Sequence, residues 1–508
     1  MTSRSTAAIP QAGSVHRVPH PATDGAPASL AARFDWLWAA LLTLAVTVYG
    51  SAGVQPWRDE LASWSAASRS TGDLIETLGH VDAVSGLYYL VLHFWMSVFG
   101  DSETMLRMPS ALAMAAAAGF VVLTARRLFD RRTAVFAGLL FALLPSVSRY
   151  GQEARSYAFV LLAVTAATWL LMRALDRPTL RRWAPYALAV ALAGLFHIVS
   201  LLFLLPHALI VLLRWRRDRR GRTVGTYALA TAVALVPVIP LVLLGQRQVG
   251  RQISWIKTPH LRSLADLWSS LYGSPLVALA VAAAALLPLA WARGRRPALE
   301  LGLIGAVPVA ADFLVSQGST SYFMDRYLLF TVPAWVVLAA AGLAAVKPRA
   351  VGAAGLAAIV LLGLPDQRQQ RTELVRVGLD GEAAAGIIAK GYQPGDGFVP
   401  VRGSDSVYMI DFQVEYFLPD RVKLRDVFSE RTAVQRDDLF PQECPRPVDC
   451  LDTTRRIWVV TWSGTGNPYH KLPDAQAKAL QSHYKVLRKT SVRGLQVSLL
   501  ERTSSPAR

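Results

Sequence analysis

The 508-residue chain reads as an α-helical polytopic membrane protein carrying a small α/β domain at its C-terminal end. Three observations predict this class. The chain is 53% hydrophobic and only 17% charged, with a mean hydropathy of +0.32, a charge depletion that ordinary soluble enzymes do not share. Its apolar runs recur up to residue 364 and are separated by short arginine clusters. Residues 366–508 are polar and mixed, without a run long enough to span a bilayer.

Residues 1–33 are rich in Ala, Pro, Ser and His and read as a disordered tail. No cleavable signal is evident, so the first apolar run, 36–54, reads as a signal anchor. Further runs follow at 86–99, 108–125, 133–149, 156–173, 184–199, 200–213, 224–244, 275–292, 298–316, 327–345 and 349–364. The basic clusters lie at Arg126-Arg127 with Arg131-Arg132, at Arg173 to Arg182, at Arg214 to Arg222, at Arg293 to Arg296, and at Lys347 with Arg349. With all of them on the cytoplasmic side, the runs from 133 to 345 fall into pairs. The run at 36–54 then exits and 108–125 re-enters, which leaves no parity for 86–99 to cross. That run is short and aromatic and reads as an interfacial or re-entrant helix within a long outer loop, 55–107. The count is about eleven spans, with the N-terminus cytoplasmic and the C-terminus outside. The expected domains are the tail 1–33, a membrane domain 34–365 and an extracytoplasmic α/β domain 366–508.

In that last region, 381–390 and 474–484 read as helices, and 397–401, 456–462 and 496–500 as strands. It holds both cysteines, Cys444 and Cys450, which are close enough to form a disulfide in an oxidising compartment and equally consistent with two free thiols. The net charge of +18 sits in the loop clusters, with no nucleic-acid-binding motif beside it, so nucleic acid is not an expected partner. Walker A, nucleophile-elbow and zinc-protease motifs are absent from the sequence, which gives no support to ATP-driven, serine-hydrolase or zinc-protease chemistry.

Chemistry concentrates in the outer loops. Pro56-Trp57-Arg58-Asp59-Glu60-Leu61 follows the first span. A partly desolvated carboxylate there can act as a general base toward a hydroxyl, or Asp59 can simply cap a helix starting near Leu61. Further along are His80 and Asp82, which fit ordinary loop hydrogen bonding, substrate contact or, with Asp59 and Glu60, a divalent cation. The aromatic run contributes Tyr88. Arg107, then Glu153, Arg155 and Tyr157, and finally Arg326 lie at outer span boundaries. Arginines in such places suit a phosphate through charge-assisted hydrogen bonds, and jointly fit it better than lipid-headgroup snorkelling does. Trp255, in the loop 245–274, fits either a lid over a sugar or an interfacial belt.

Five stretches, in this order, resemble the GT-C glycosyltransferases: Trp57-Arg58-Asp59-Glu60; Gly86-Leu87-Tyr88-Tyr89; Leu106-Arg107-Met108-Pro109-Ser110 with Arg127-Leu128-Phe129; Gln152-Glu153-Ala154-Arg155-Ser156-Tyr157; and Arg326-Tyr327. The likeness is closest to the protein O-mannosyltransferase and aminoarabinose-transferase branch with its bacterial mannosyltransferase-like relatives, and it covers residues 36–345. One departure is Val84-Ser85-Gly86, where relatives often carry Pro-Pro. The resemblance implies an inverting transfer of a sugar, mannose first among candidates, from a polyprenyl-phosphate donor. The acceptor would be a hydroxyl on a glycan, lipid or protein at the outer face of a bacterial cytoplasmic membrane. It implies Asp59 as base, paired with Glu60. Arg58, His80, Asp82, Tyr88, Arg107, Glu153, Arg155, Tyr157 and Arg326 make up the rest of the candidate site. One carboxylate suffices because the phosphate leaves as a stabilised anion, unlike the two needed for glycoside hydrolysis. A transporter or flippase of a lipid-linked sugar, which should carry mid-span charges or a repeat, and a non-catalytic envelope scaffold are the other readings.

Overall fold

The computed structural model describes residues 34–219, 221–290 and 294–503. The tail expected over 1–33 lies outside them. Residues up to Asp35 form a unit of their own, and the account below concerns Trp36–Arg508.

The chain is a multi-pass membrane protein. Seven helices are long and apolar enough to cross a membrane, or up to ten if each of three bent pairs counts as one span. The sequence predicts about eleven. The difference is the segment 184–199, which forms Leu180–Phe196, a 17-residue helix at the short limit for a span. The run 86–99 forms Gly86–Phe99; its 14 residues rise about 21 Å, less than a hydrocarbon core of about 30 Å. Tyr88, Tyr89 and Leu92 are buried on one side of this helix, and Phe94, Val98 and Phe99 are exposed.

The first bent pair positions the candidate site. Leu37–Val48 ends at Tyr49, and Gly50, at φ 74°, turns the chain in a conformation that favours glycine. A short 3-10 turn follows, and Arg58–Ala67 runs at 92° to the helix before it. Asp59 and Glu60 therefore occupy the first turn of a new helix, where the helix dipole favours negative charge. The helix starts at Arg58, so Asp59 is not its cap.

Close backbone approach holds the bundle together. A Cβ on Gly342 would sit 2.1 Å from the Ala284 carbonyl oxygen, and one on Gly352 would sit 2.1 Å from that of Leu343. Small residues at helix crossings permit this in membranes, where burial of apolar surface cannot drive packing.

The polar C-terminal region builds a five-stranded mixed sheet. In space the order is Arg425–Asp426, Gly397–Pro400, Arg456–Trp462, Leu495–Arg502, Tyr484–Ser491. The first three are parallel and the last two pair antiparallel. Arg456–Trp462 is the central strand and its core is buried, as its run of apolar residues predicts. Tyr484–Ser491 is an exposed edge strand, rich in Lys and Arg, and was not foreseen. Cys444 and Cys450 are disulfide-bonded.

This region packs on the bent helix. Leu61 and Ala62 are buried with Met409, and Phe412, Tyr416 and Phe440 pack around them. Gln55 donates to Asp380 (3.0 Å) and accepts from the Gly381 N–H (3.1 Å), while Arg69 donates to the Asp438 carbonyl (2.6 Å).

Candidate active site

Adjacent in sequence, Asp59 and Glu60 face different surroundings because consecutive helical residues point about 100° apart. The Glu60 side chain is 1% exposed. Arg107 grips it with two hydrogen bonds, Nε to Oε1 at 2.8 Å and Nη2 to Oε2 at 2.9 Å. The Ala154 N–H donates to it at 3.0 Å, and Arg376 lies 3.7 Å away. The remaining Arg107 nitrogen donates to the Ser51 and Val54 carbonyls, the latter at 2.8 Å. Both side chains are thus consumed by each other and by backbone. This corrects two expectations: Glu60 is not free for catalysis and Arg107 is not free for phosphate. Together they lock the helix Arg58–Ala67 to the helix Glu103–Leu128.

Asp59, by contrast, is 20% exposed, with Arg58 at 3.6 Å and Arg326 at 4.0 Å. Both guanidiniums stand over the rings of Trp57 and Trp255, at 5.5 to 5.9 Å from the centroids. Trp255, just after the helix Ile239–Gln252, thereby joins a cage of two cations and two indoles around one carboxylate. The Arg326 guanidinium also lies 5.6 Å from the Tyr327 ring, which stacks on His197 at 4.3 Å. Tyr157 sits 6.3 Å from both of those rings.

Arg155 anchors the other side. It donates to the Tyr89 hydroxyl (3.0 Å) and Ser85 (3.3 Å), and lies 3.9 Å from Asp82. Asp82 adopts φ 56° and accepts from Ser85 (3.1 Å) and, through a short bond, from Tyr89. Burial raises the Asp82 carboxyl above its ordinary value despite Arg155. Glu153 is 1% exposed and its Oε1 has no hydrogen-bond partner. Burial is the main cause that pushes it up to about 7, with Arg376 and Arg149 opposing and the charges of Glu60 and Asp59 adding.

His80 stays apart from this constellation: it is exposed, and its Nδ1 meets the Glu76 carbonyl of its own helix. Tyr88 is buried edge-on against Phe159, within electrostatic reach of Glu60, Arg155 and Glu153. The cation suggested by His80, Asp82, Asp59 and Glu60 does not fit either: Glu60 is saturated by arginine, and no group of three His, Cys, Asp or Glu side chains could hold a metal ion among the described residues. Arg376 was missed. It follows the last span, donates to the Gln152 carbonyl at 2.6 Å and approaches Glu60, and burial lowers it to about 10. Lying in a polar segment, it carried no signal that set it apart from any other arginine.

Beside the cage a cavity of about 470 Å³ opens, within the range of about 300–1,000 Å³ usual for small-ligand sites. Tyr327 and His197 line its near wall, and Leu201, Leu202, Val242 and Val249 make much of the rest.

The crystal structure of ArnT from Cupriavidus metallidurans in the apo state superposes with a TM-score of 0.62 at 16% identity, over 92% of this chain and 98% of that one. The same protein bound to undecaprenyl phosphate gives 0.63 at 15% identity, with the same coverage. The chain has the GT-C fold. Arabinofuranosyltransferase AftD from Mycobacteria aligns over 93% of this chain and 40% of that one, at 15% identity and a TM-score of 0.50. The sequence profile of the dolichyl-phosphate-mannose-protein mannosyltransferases matches residues 86–243. No curated protein matches the sequence. This glycosyltransferase fold accords with the likeness read from the motifs, and its profile match begins at Gly86, the first residue of the aromatic helix.

Proposed function

We propose that the chain is an inverting glycosyltransferase that moves a sugar, mannose being the first to test, from a polyprenyl phosphate to an acceptor hydroxyl. The observation that carries this reading is Asp59: the accessible carboxylate of the pair, flanked by two arginines, of which Arg326 lies over Tyr327 in the wall of the cavity. In this reading Asp59 takes the proton from the acceptor hydroxyl as its oxygen attacks the anomeric carbon. The bond to the phosphate oxygen breaks on the opposite face, and the bonding pair leaves with the phosphate. Arg58 and Arg326 offset the charge gathering there, which is the main electrostatic task of such a site. Arg155 lies 6.0 Å from the Tyr157 ring, which packs on Tyr327, and Asp82 keeps Arg155 in place.

Six arginines (58, 107, 149, 155, 326 and 376) face the five carboxylates Asp59, Glu60, Asp82, Glu153 and Asp325. That surplus suits an anion. The ArnT structure bound to undecaprenyl phosphate supports a lipid phosphate as the donor's carrier. The disulfide supports placing the C-terminal region, and with it the site, outside the cytoplasm. Reconstitution separates this reading from a flippase. Vesicles holding the purified chain, a radiolabelled polyprenyl-phosphate mannose and a hydroxyl acceptor should release label from lipid to acceptor. Label that crosses the bilayer still attached to its lipid, with none transferred, would establish the flippase instead.

A further inference from the structure

Of the two cations beside Asp59, Arg326 is the more deeply buried, and its own side chain does little to place it. Its Nε has no hydrogen-bond partner, and its ion pair with Asp59 spans 4.0 Å. The rings of Trp57, Trp255 and Tyr327 lie 5.5 to 5.9 Å away, contacts that attract a cation without fixing its direction. Its aim is therefore set by the backbone that carries it.

That backbone is a weak element on its own. Asp325–Leu328 is a single α turn, which a 3-10 segment, Leu329–Thr331, separates from the helix Val332–Ala345. Met324, before it, offers no side-chain cap. A helix end of this kind opens readily unless tertiary contacts hold it. The Asp325 side chain supplies one: its Oδ2 accepts from the Tyr150 hydroxyl at 2.9 Å. Among the described residues this is the one hydrogen bond that either side chain makes.

Tyr150 is built to stay where it is. It is 1% exposed, its ring lies edge-on to Tyr157 at 6.0 Å, and the Arg149 guanidinium stands 5.1 Å from its centroid. It belongs to Pro145–Gly151, the short helix after the 58° bend that follows Arg131–Leu143. That helix is wedged in turn, since a Cβ on Gly273 would sit 3.2 Å from the Pro145 Cβ and the Ser146 nitrogen. A buried tyrosine needs some acceptor for its hydroxyl. The acceptor here is the residue directly before Arg326. A fixed hydroxyl thus holds a loose turn 175 residues further along the chain.

We infer that Tyr150 is a positioning residue: by holding Asp325 it aims Arg326 at the phosphate of the donor, without touching substrate itself. The inference rests on the role proposed for Arg326, and its test reads binding in place of turnover. The full chain in nanodiscs would be titrated with a short-chain polyprenyl phosphate and with the corresponding polyprenol, which lacks the phosphate. Tyr150→Phe should weaken the phosphate about tenfold and leave the polyprenol unchanged, and in an Arg326→Gln background it should weaken the phosphate no further. Asp325→Ala serves as the second variant should Tyr150→Phe not fold, with the same pattern expected. Asp325→Asn removes the charge but keeps a carbonyl oxygen for the Tyr150 hydroxyl, so it should stay near the wild-type affinity. Equal loss for phosphate and polyprenol, or the same loss with Arg326 already replaced, would make Tyr150 a support of the fold alone and overturn the inference. So would a Tyr150→Phe chain that binds the phosphate like wild type, or a loss in Asp325→Asn as great as in Asp325→Ala. Arg326→Gln with wild-type affinity would contradict the role proposed for Arg326 and the inference with it. Coupled loss in a chain that transfers no sugar would support the inference and count against the transferase reading alone.

Discussion

At the scale of residues, the site divides one charge pair into two tasks. Glu60 is structural: it is buried, gripped in two places by Arg107 and bonded to the Ala154 N–H. Removing one partner of such a pair leaves the other charge buried, a loss of about 3–5 kcal/mol. Glu60→Gln and Arg107→Met should therefore each lower the thermal midpoint strongly, measured by unfolding in detergent, whereas Asp59→Asn should leave it nearly unchanged. Glu153 makes a prediction in pH. Its folded value of about 7 lies above the usual 4.5, so its contribution to stability is fully present below about pH 4.5 and is lost as pH rises toward 7. A shift of that size is on the order of 3 kcal/mol. Glu153→Gln should be more stable than the parent at pH 8 and should flatten the slope between pH 5 and 7; an unchanged slope would show that the group ionises freely. The family resemblance singled out Asp59 as the base, but the structural role of Glu60 was not legible in the sequence: only the direction of each side chain and the arrival of Arg107 and Arg376 reveal it.

At the scale of elements, periodicity and charge told most. The runs and their arginine clusters located the crossing helices, and the aromatic helix Gly86–Phe99 was recognisable from its length and composition. What escaped were the breaks. The 92° bend lies between Gly53 and Arg58, beyond the left-handed turn at Gly50, and an apolar run through residue 54 conceals that turn. The edge strand Tyr484–Ser491 escaped because its apolar residues, Tyr484, Val486 and Leu487, do not keep a strict alternation with polar ones. The Gly342 crossing carries a prediction at this scale. A methyl group there meets the Ala284 carbonyl, so Gly342→Ala should cost about 1–3 kcal/mol through overpacking. Gly302→Ala, with open space around its Cβ, should stabilise or leave stability unchanged. Equal midpoints for the two variants would contradict the close packing described.

At the scale of the whole molecule, the C-terminal region is tied to the membrane helices through the very turn that bears Asp59: Leu61 and Ala62 pack on Met409, and Gln55 bonds Asp380 and Gly381. The sequence showed a polar α/β segment but not that it would buttress the site, because the partners lie more than 300 residues apart. The charge pattern predicts that this region lies outside. A C-terminal epitope on intact spheroplasts should accordingly be open to protease while the N-terminus is protected; the reverse would invert the proposed topology. The central claim, that Asp59 is the base of a sugar transfer, is tested most directly by one comparison. Wild type and Asp59→Asn would be given the same labelled polyprenyl-phosphate sugar and acceptor, with donor affinity and thermal midpoint measured beside the rate. The account predicts a fall in transfer of about 10²–10⁴-fold at unchanged affinity and midpoint. A folded Asp59→Asn that transfers sugar within a few-fold of wild type would contradict it.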